Sequence, residues 1–184
     1  MAHQPLNRPI VALATDRATG NYWQVASDGG IFAFGAPFEG SVGGLHLNAP
    51  IVGITATPDA AGYWEVASDG GIFAFGDAPF EGSAGGLHLN APIVGITATP
   101  DGRGYWMVAS DGGIFAFGDA PFEGSAGGLH LNAPIVGIAA TPDGQGYWMA
   151  ARDGGIFAFG DARFLGSAAQ LALAAPTVGI AAAS

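Results

Sequence analysis

Gly104-Tyr105-Trp106-Met107-Val108-Ala109-Ser110-Asp111-Gly112-Gly113-Ile114-Phe115-Ala116-Phe117-Gly118 recurs, nearly word for word, at 21–35, 62–76 and 146–160. Its tryptophans, Trp23, Trp64, Trp106 and Trp148, lie 41, 42 and 42 residues apart. Such a period belongs to stacked supersecondary units, each covering its neighbour's apolar face. Within the stretch, Tyr105 to Ser110 reads as a strand and Ile114 to Phe117 as its return. Between them Asp111-Gly112-Gly113 predicts a tight turn with two consecutive residues at positive φ. Side-chain alternation sets Phe115 and Phe117 on one face of the return strand and Ile114 and Ala116 on the other.

Ahead of the core stretch stands a short apolar run, Ile93 to Thr99, with counterparts at Ile10 to Thr15, Ile51 to Thr57, Ile135 to Thr141 and Thr177 to Ala183. Without period-2 alternation these read as strands buried on both faces. Their centre is Gly53, Gly95, Gly137 or Gly179, with Ala12 in the first copy, a sign that another backbone approaches closely there. Thr99-Pro100-Asp101-Gly102 supplies a turn into the next strand, since Pro presets φ and Gly accepts positive φ. Behind the stretch, Gly118 to Pro134 is rich in Gly and Pro; a short outer strand around Phe122 to Ser125 fits, because an edge tolerates such residues. Gly or Pro interrupts every window long enough for a helix.

The chain therefore divides into units of about 10–50, 51–92, 93–134 and 135–176 within one repeat domain, with 177–184 a surplus strand. Each unit is an antiparallel sheet of three or four strands, apolar on both faces, and only neighbouring sheets can cover it. The fold class is all-β. A β-propeller and a β-solenoid both satisfy the burial argument; repeat length and turn spacing favour the propeller. The first-strand run occurs five times and the other two strands four times. An incomplete ring closed by a second copy, two chains giving about eight blades, explains the surplus, as does an excerpt of a longer array.

Composition narrows the partners. With five Arg, no Lys, 15 acidic residues and a formal charge of −10, the chain lacks the clustered cations that nucleic acid or an anionic membrane surface requires. No apolar run approaches the roughly 18 residues of a membrane span, and 1–9 has neither the charged start nor the apolar centre of a signal peptide. Export would need a signal outside this sequence. The absence of Cys removes disulfides, thiol nucleophiles and thiolate metal sites.

The pattern from Thr99 to Ala120, Thr-Pro-Asp-Gly-x-Gly-Tyr-Trp-x-Val-Ala-Ser-Asp-Gly-Gly-Ile-Phe-x-Phe-Gly-Asp-Ala, resembles repeat arrays of actinobacterial secreted or surface proteins, often found beside hydrolase domains. More loosely it is similar to propeller blades in which a Pro-Asp-Gly turn joins the first two strands. The resemblance covers almost the whole chain and implies a secreted or cell-surface parent. Both end copies depart from it: the first reads Asp16-Arg17-Ala18-Thr19-Gly20, and the last has Arg152, Arg163, Leu165 and Ala172 where the others have Ser, Pro, Glu and His.

Three sets of residues are candidates for chemistry. His46, His88 and His130 recur in Leu-His-Leu-Asn-Ala-Pro, with Asn48, Asn90 and Asn132 two places on; rotation about an axis would array them as ligand donors, although no second His or Cys stands at metal-ligand spacing. Tyr22, Tyr63, Tyr105 and Tyr147 precede each Trp and project from the opposite strand face. The variable position on that Tyr face, Gln24, Glu65, Met107 or Met149, looks solvent-tolerant, which makes Tyr the exposed member for stacking on sugars and Trp the core member. Asp69 and Asp111, with Asp28 and Asp153, occupy the hairpin turns. Identical repeated carboxylates do not provide the unlike acid and base of a hydrolase. The reading is a non-enzymatic, multivalent binding or scaffold module, a glycan the first ligand to test, with no cofactor, metal or catalytic residue. The rival reading is a self-assembling structural fragment that completes its ring as a homo-oligomer.

Overall fold

The computed structural model describes residues 6–182, and within them the chain is all-β. Four three-stranded antiparallel sheets follow one another: β1 (Ile10–Thr15), β2 (Tyr22–Ala26) and β3 (Ile31–Phe34); β4 (Ile51–Ala56), β5 (Gly62–Ala67) and β6 (Ile72–Gly76); β7 (Ile93–Ala98), β8 (Gly104–Ala109) and β9 (Ile114–Gly118); β10 (Ile135–Ala140), β11 (Gly146–Ala151) and β12 (Ile156–Gly160). Each is a meander with its middle strand in the centre. The first strands of successive sheets lie side by side, β1 on β4, β4 on β7 and β7 on β10, so the sheets fan out as blades from a shared inner edge. This is the propeller arrangement, and no comparable contact joins β1 to β10.

Every inner strand carries an irregularity at one place: Ile51 faces Ala67 but Gly53 faces Val66, and the same skip occurs at Ile10/Ala12, Ile93/Gly95 and Ile135/Gly137. The bulge turns the strand where the blades crowd together. A Cβ on Gly53 would stand 3.0 Å from Val66 and 3.2 Å from Ile96 of the next inner strand, which is the close approach expected of that glycine.

Three seams hold the blades together, and their composition is nearly constant. One blade contributes Trp64, Val66 and Ile72 and the next contributes Tyr105, Met107 and Ala109, with Phe115 and Phe117 half-buried beside them. Trp23 against Tyr63 and Trp106 against Tyr147 repeat the arrangement. The ring centroids of each Trp–Tyr pair are 5.6 to 5.7 Å apart at interplanar angles of 52 to 55°, the tilted geometry that aromatic quadrupoles favour. Alternation along the middle strand thus sends Trp into one seam and Tyr into the other.

Several expectations need correction. The hairpin has one positive-φ residue: Gly112 is at +84° and Gly113 is not positive. Gly112 N–H donates to Ala109 O, and Ala109 N–H donates to Gly113 O, a three-residue loop in which one left-handed glycine is enough. No outer strand forms at Phe122 to Ser125; Trp106 Nε1 donates to Pro121 O at 2.7 Å in place of a ladder. Residues 177–182 lie beside β10, yet no middle strand pairs with them and they are not a strand; Ala183 and Ser184 fall outside the described residues.

One further turn shows how neighbouring blades constrain each other. Ala60 has φ +60°, where its counterparts are Gly102 and Gly144. A Cβ on Gly102 would lie 2.6 Å from Pro58 of the preceding blade, and Gly144 meets Pro100 in the same way. Blade 1 has Arg17 at the position of that proline, so alanine fits at 60 but keeps the left-handed strain. Ala60→Gly is expected to stabilise the fold by about 0.5–1 kcal/mol through relief of that strain, seen as a higher urea midpoint; an unchanged or lower midpoint contradicts it.

Candidate functional site

Antiparallel meanders place the loops on two opposite faces. Turns from inner to middle strand and the ends of the outer strands share the upper face; turns from middle to outer strand and the entries to the inner strands share the lower one. Between the inner strands a funnel of about 380 Å³ opens upward, lined by Thr55, Thr97, Ala139 and their neighbours, with Arg17 at its rim.

The upper turns carry paired carboxylates. In Thr99-Pro100-Asp101, the Thr99 hydroxyl lies 2.9 Å from Asp101 Oδ1 and accepts Gly104 N–H at 3.0 Å, and Arg103 N–H donates to the same carboxylate at 3.2 Å. These donors, the hydroxyl foremost, hold Asp101 below the usual carboxylate range. Asp119, which follows the outer strand, is pushed up by desolvation and then by the neighbouring Asp101. Asp59 is held down chiefly by the Ala61 amide, and Asp143 chiefly by the Thr141 hydroxyl. The arrangement ties a turn to a strand end.

On the lower face the hairpin turn and the following loop are clamped together. Ser83 Oγ donates to Gly70 O at 3.0 Å and Ala84 N–H donates to the same carbonyl at 3.0 Å; Ser125 and Ala126 do likewise on Gly112. Sequence reasoning passed over this serine, although its recurrence in Gly-Ser-Ala was the available signal. Asp69 and Asp111 each accept the second glycine's N–H, at 3.0 and 2.9 Å, which uses one carboxylate oxygen in the turn. Beyond the clamp, His46, His88 and His130 are exposed, as are Asn48, Asn90 and Asn132. Leu45, Leu87 and Leu129 stand next to the imidazoles, also exposed. Among the described residues no three His, Asp or Glu side chains converge as metal ligands.

The tyrosines are not where the sequence placed them. Tyr63, Tyr105 and Tyr147 are fully buried in the seams, and only Tyr22, on the uncovered side of blade 1, is half-exposed. Each buried hydroxyl donates to a carbonyl of the preceding blade at 2.6 Å, Tyr63 to Gly40, Tyr105 to Gly82 and Tyr147 to Gly124, and accepts the N–H of Glu39, Glu81 or Glu123. Their role is to latch blade to blade. Tyr105→Phe, which strands both partners, is expected to cost about 1–3 kcal/mol, whereas Tyr22→Phe stays within about 0.5 kcal/mol; equal midpoint shifts in urea would contradict the latch.

Within the three seams the variable position beside the tyrosine is likewise buried, whereas Gln24 on blade 1 is half-exposed. Met107 and Met149 fill it in the later seams, and Glu65 occupies it in the first with no exposed surface and neither carboxylate oxygen hydrogen-bonded. Burial, and after it the Asp28 carboxylate, push Glu65 up to about 8. The aligned copies, Gln24, Glu65, Met107 and Met149, showed one acid at this position; that the position is sealed in the seams was not visible there.

No family model and no curated protein matches the sequence. Among solved structures the chain is similar to the β-propeller domain of Cps50 (Swd1) from Myceliophteria thermophila, with a TM-score of 0.56 and 12% identity over 85% of this chain and 53% of that one. The likeness establishes the propeller fold. The chain spans about half the length of that domain.

Proposed function

We propose that the chain is a non-enzymatic binding or scaffold module that presents one surface several times over. The observation that carries this reading is the lower-face array, in which Leu-His-x-Asn recurs exposed on three blades, each copy fixed by the same serine clamp. Imidazole and amide groups beside an exposed leucine suit a hydroxyl-rich ligand with apolar patches, so a surface glycan is the ligand class of choice. Repetition converts weak single sites into avidity when one polymer engages several. A glycan array probed with the 184-residue chain, followed by His88→Ala/Asn90→Ala, tests it: binding that weakens about 10-fold or more in the double variant supports the reading, and an array without signal overturns the glycan assignment.

A second reading, assembly, is favoured by the two blade faces left uncovered. The seam residues Tyr22 on blade 1 and Trp148 on blade 4 are half-exposed, while their counterparts in the three seams are sealed. In this reading the arc is continued by further blades, and the repeated lower-face loops then form a larger ring of sites.

A further inference from the structure

Blade 4 carries a formed but unfilled half of a seam. In each closed seam a glycine of the preceding blade receives the next blade's phenylalanine: a Cβ on Gly40, Gly82 or Gly124 would lie 2.5 Å from the ring of Phe75, Phe117 or Phe159. These glycines share φ values of +132 to +135°, and Gly166, their counterpart on blade 4, holds +129° with nothing within 4 Å of the same point. Above it Trp148 is half-exposed, its Nε1 donating to Arg163 O at 2.9 Å as the other tryptophans donate to proline carbonyls. Blade 1 carries the matching half. Tyr22 and Phe34 stack on each other with centroids 4.9 Å apart and interplanar angle 23°, and Phe34 is 45% exposed; in the closed seams the equivalent pairs sit at 5.6 to 5.8 Å and 38 to 42°, spread by the blade they clasp.

From these two halves we infer that a second copy of this chain docks its blade 1 on blade 4, seating Tyr22 and Phe34 over Trp148 and Gly166. The inference rests on the assembly reading and names its partner. The Tyr22 hydroxyl then donates to Gly166 O, and the Phe34 ring closes over the glycine Cα. The arc matches about half of a propeller domain, so two copies joined head to tail by two identical contacts make a closed ring, the symmetric way to leave no face open.

Residues 177–182 occupy the seat that the incoming β1 needs. Thr177 N–H donates to Arg152 O at 3.0 Å, as Ile51, Ile93 and Ile135 donate to Ser27, Ser68 and Ser110, and Ile180 stands 3.4 Å from the point a Cβ on Gly137 would take. With no middle strand to pair with and Val178 87% exposed, this segment is a weakly held stand-in, whereas β1 keeps its full ladder with β2. The incoming β1 displaces it.

Sedimentation of the 184-residue chain up to about 100 µM tests the inference. A dimer is expected, and Phe34→Asp or Trp148→Arg, each spoiling one half, is expected to weaken it at least ~100-fold. Mixing the two variants rebuilds one of the two contacts, from the intact blade 1 of one and the intact blade 4 of the other, so the mixture is expected to associate more tightly than either variant alone; this also shows that both remain folded. Shortening the chain after Pro176 is expected to tighten the dimer by about 10-fold. A wild-type monomer throughout overturns the inference and the assembly reading together. A dimer indifferent to both substitutions, or a mixture that stays monomeric, overturns the docking geometry alone. Loss of the dimer on shortening overturns the stand-in role of 177–182.

Discussion

Glu65→Met raises the stability of the protein, and the gain grows with pH. Glu65 lies in the first seam, between the Asp28 turn and Val42 of blade 1, where Met107 and Met149 fill the corresponding places in the other two seams. Its carboxyl, at about 8 in the folded protein against 4.5 for an ordinary glutamate, binds its proton more tightly folded than unfolded. Between those two values the folded state therefore holds more protons, and stability falls as pH rises. Below about pH 4.5 the carboxyl is neutral in both states and the pH-dependent penalty vanishes; above about pH 8 it is complete. The difference between these two values corresponds to a penalty on the order of 5 kcal/mol at high pH and about 3 kcal/mol at pH 7. The Asp28 carboxylate adds repulsion, and no hydrogen bond offsets it. Urea titrations of both proteins from pH 5 to 9 check this: the wild-type midpoint declines across the range and the difference from Glu65→Met widens. Parallel curves would show that Glu65 is solvated or paired.

Removing Trp106 is the second large effect. The indole is fully buried in the third seam, 5.7 Å from the Tyr147 ring centroid, with its Nε1–H held by Pro121 O. Trp106→Ala leaves a cavity that two rigid sheets cannot close and releases the segment around Pro121, a combination expected to cost about 3–5 kcal/mol. Trp148→Ala deletes the same residue from a blade with no described neighbour beyond it, so less apolar area is lost and the expected cost is about 1–2 kcal/mol. Urea unfolding followed by far-ultraviolet circular dichroism at low protein concentration, where the monomer dominates, separates the two. Equal losses would mean that the seams are not the main source of stability.

Nearly all of the architecture was legible in the sequence because it is written in local chemistry. Short apolar runs, Asp-Gly-Gly and Thr-Pro-Asp turns, and a strict spacing of tryptophans define strands, reversals and a repeating unit without reference to neighbours. The details that went astray concern competition for backbone partners. At Phe122 to Ser125 the Trp106 indole takes the Pro121 carbonyl and the Tyr147 hydroxyl takes the Glu123 amide and the Gly124 carbonyl; backbone groups an outer strand would need are spent elsewhere.

The candidate site divided differently. His46, His88, His130 and the three asparagines lie in loops whose exposure follows from their polar, Gly-flanked context. The tyrosines could not be placed that way, since a strand side chain that leaves the plane of its sheet meets water or another sheet according to where that sheet lies. By itself the sequence determined the unit, its strand order and the need for neighbours, because turn geometry and side-chain alternation are set within a few residues. Only the tertiary structure decided that the two inner blades have both faces of their middle strands sealed by neighbours and the outer two have one, which turned Tyr63, Tyr105 and Tyr147 into latches and Glu65 into a buried acid. Burial is a property of pairs of sheets, and no single repeat encodes the distance to the next.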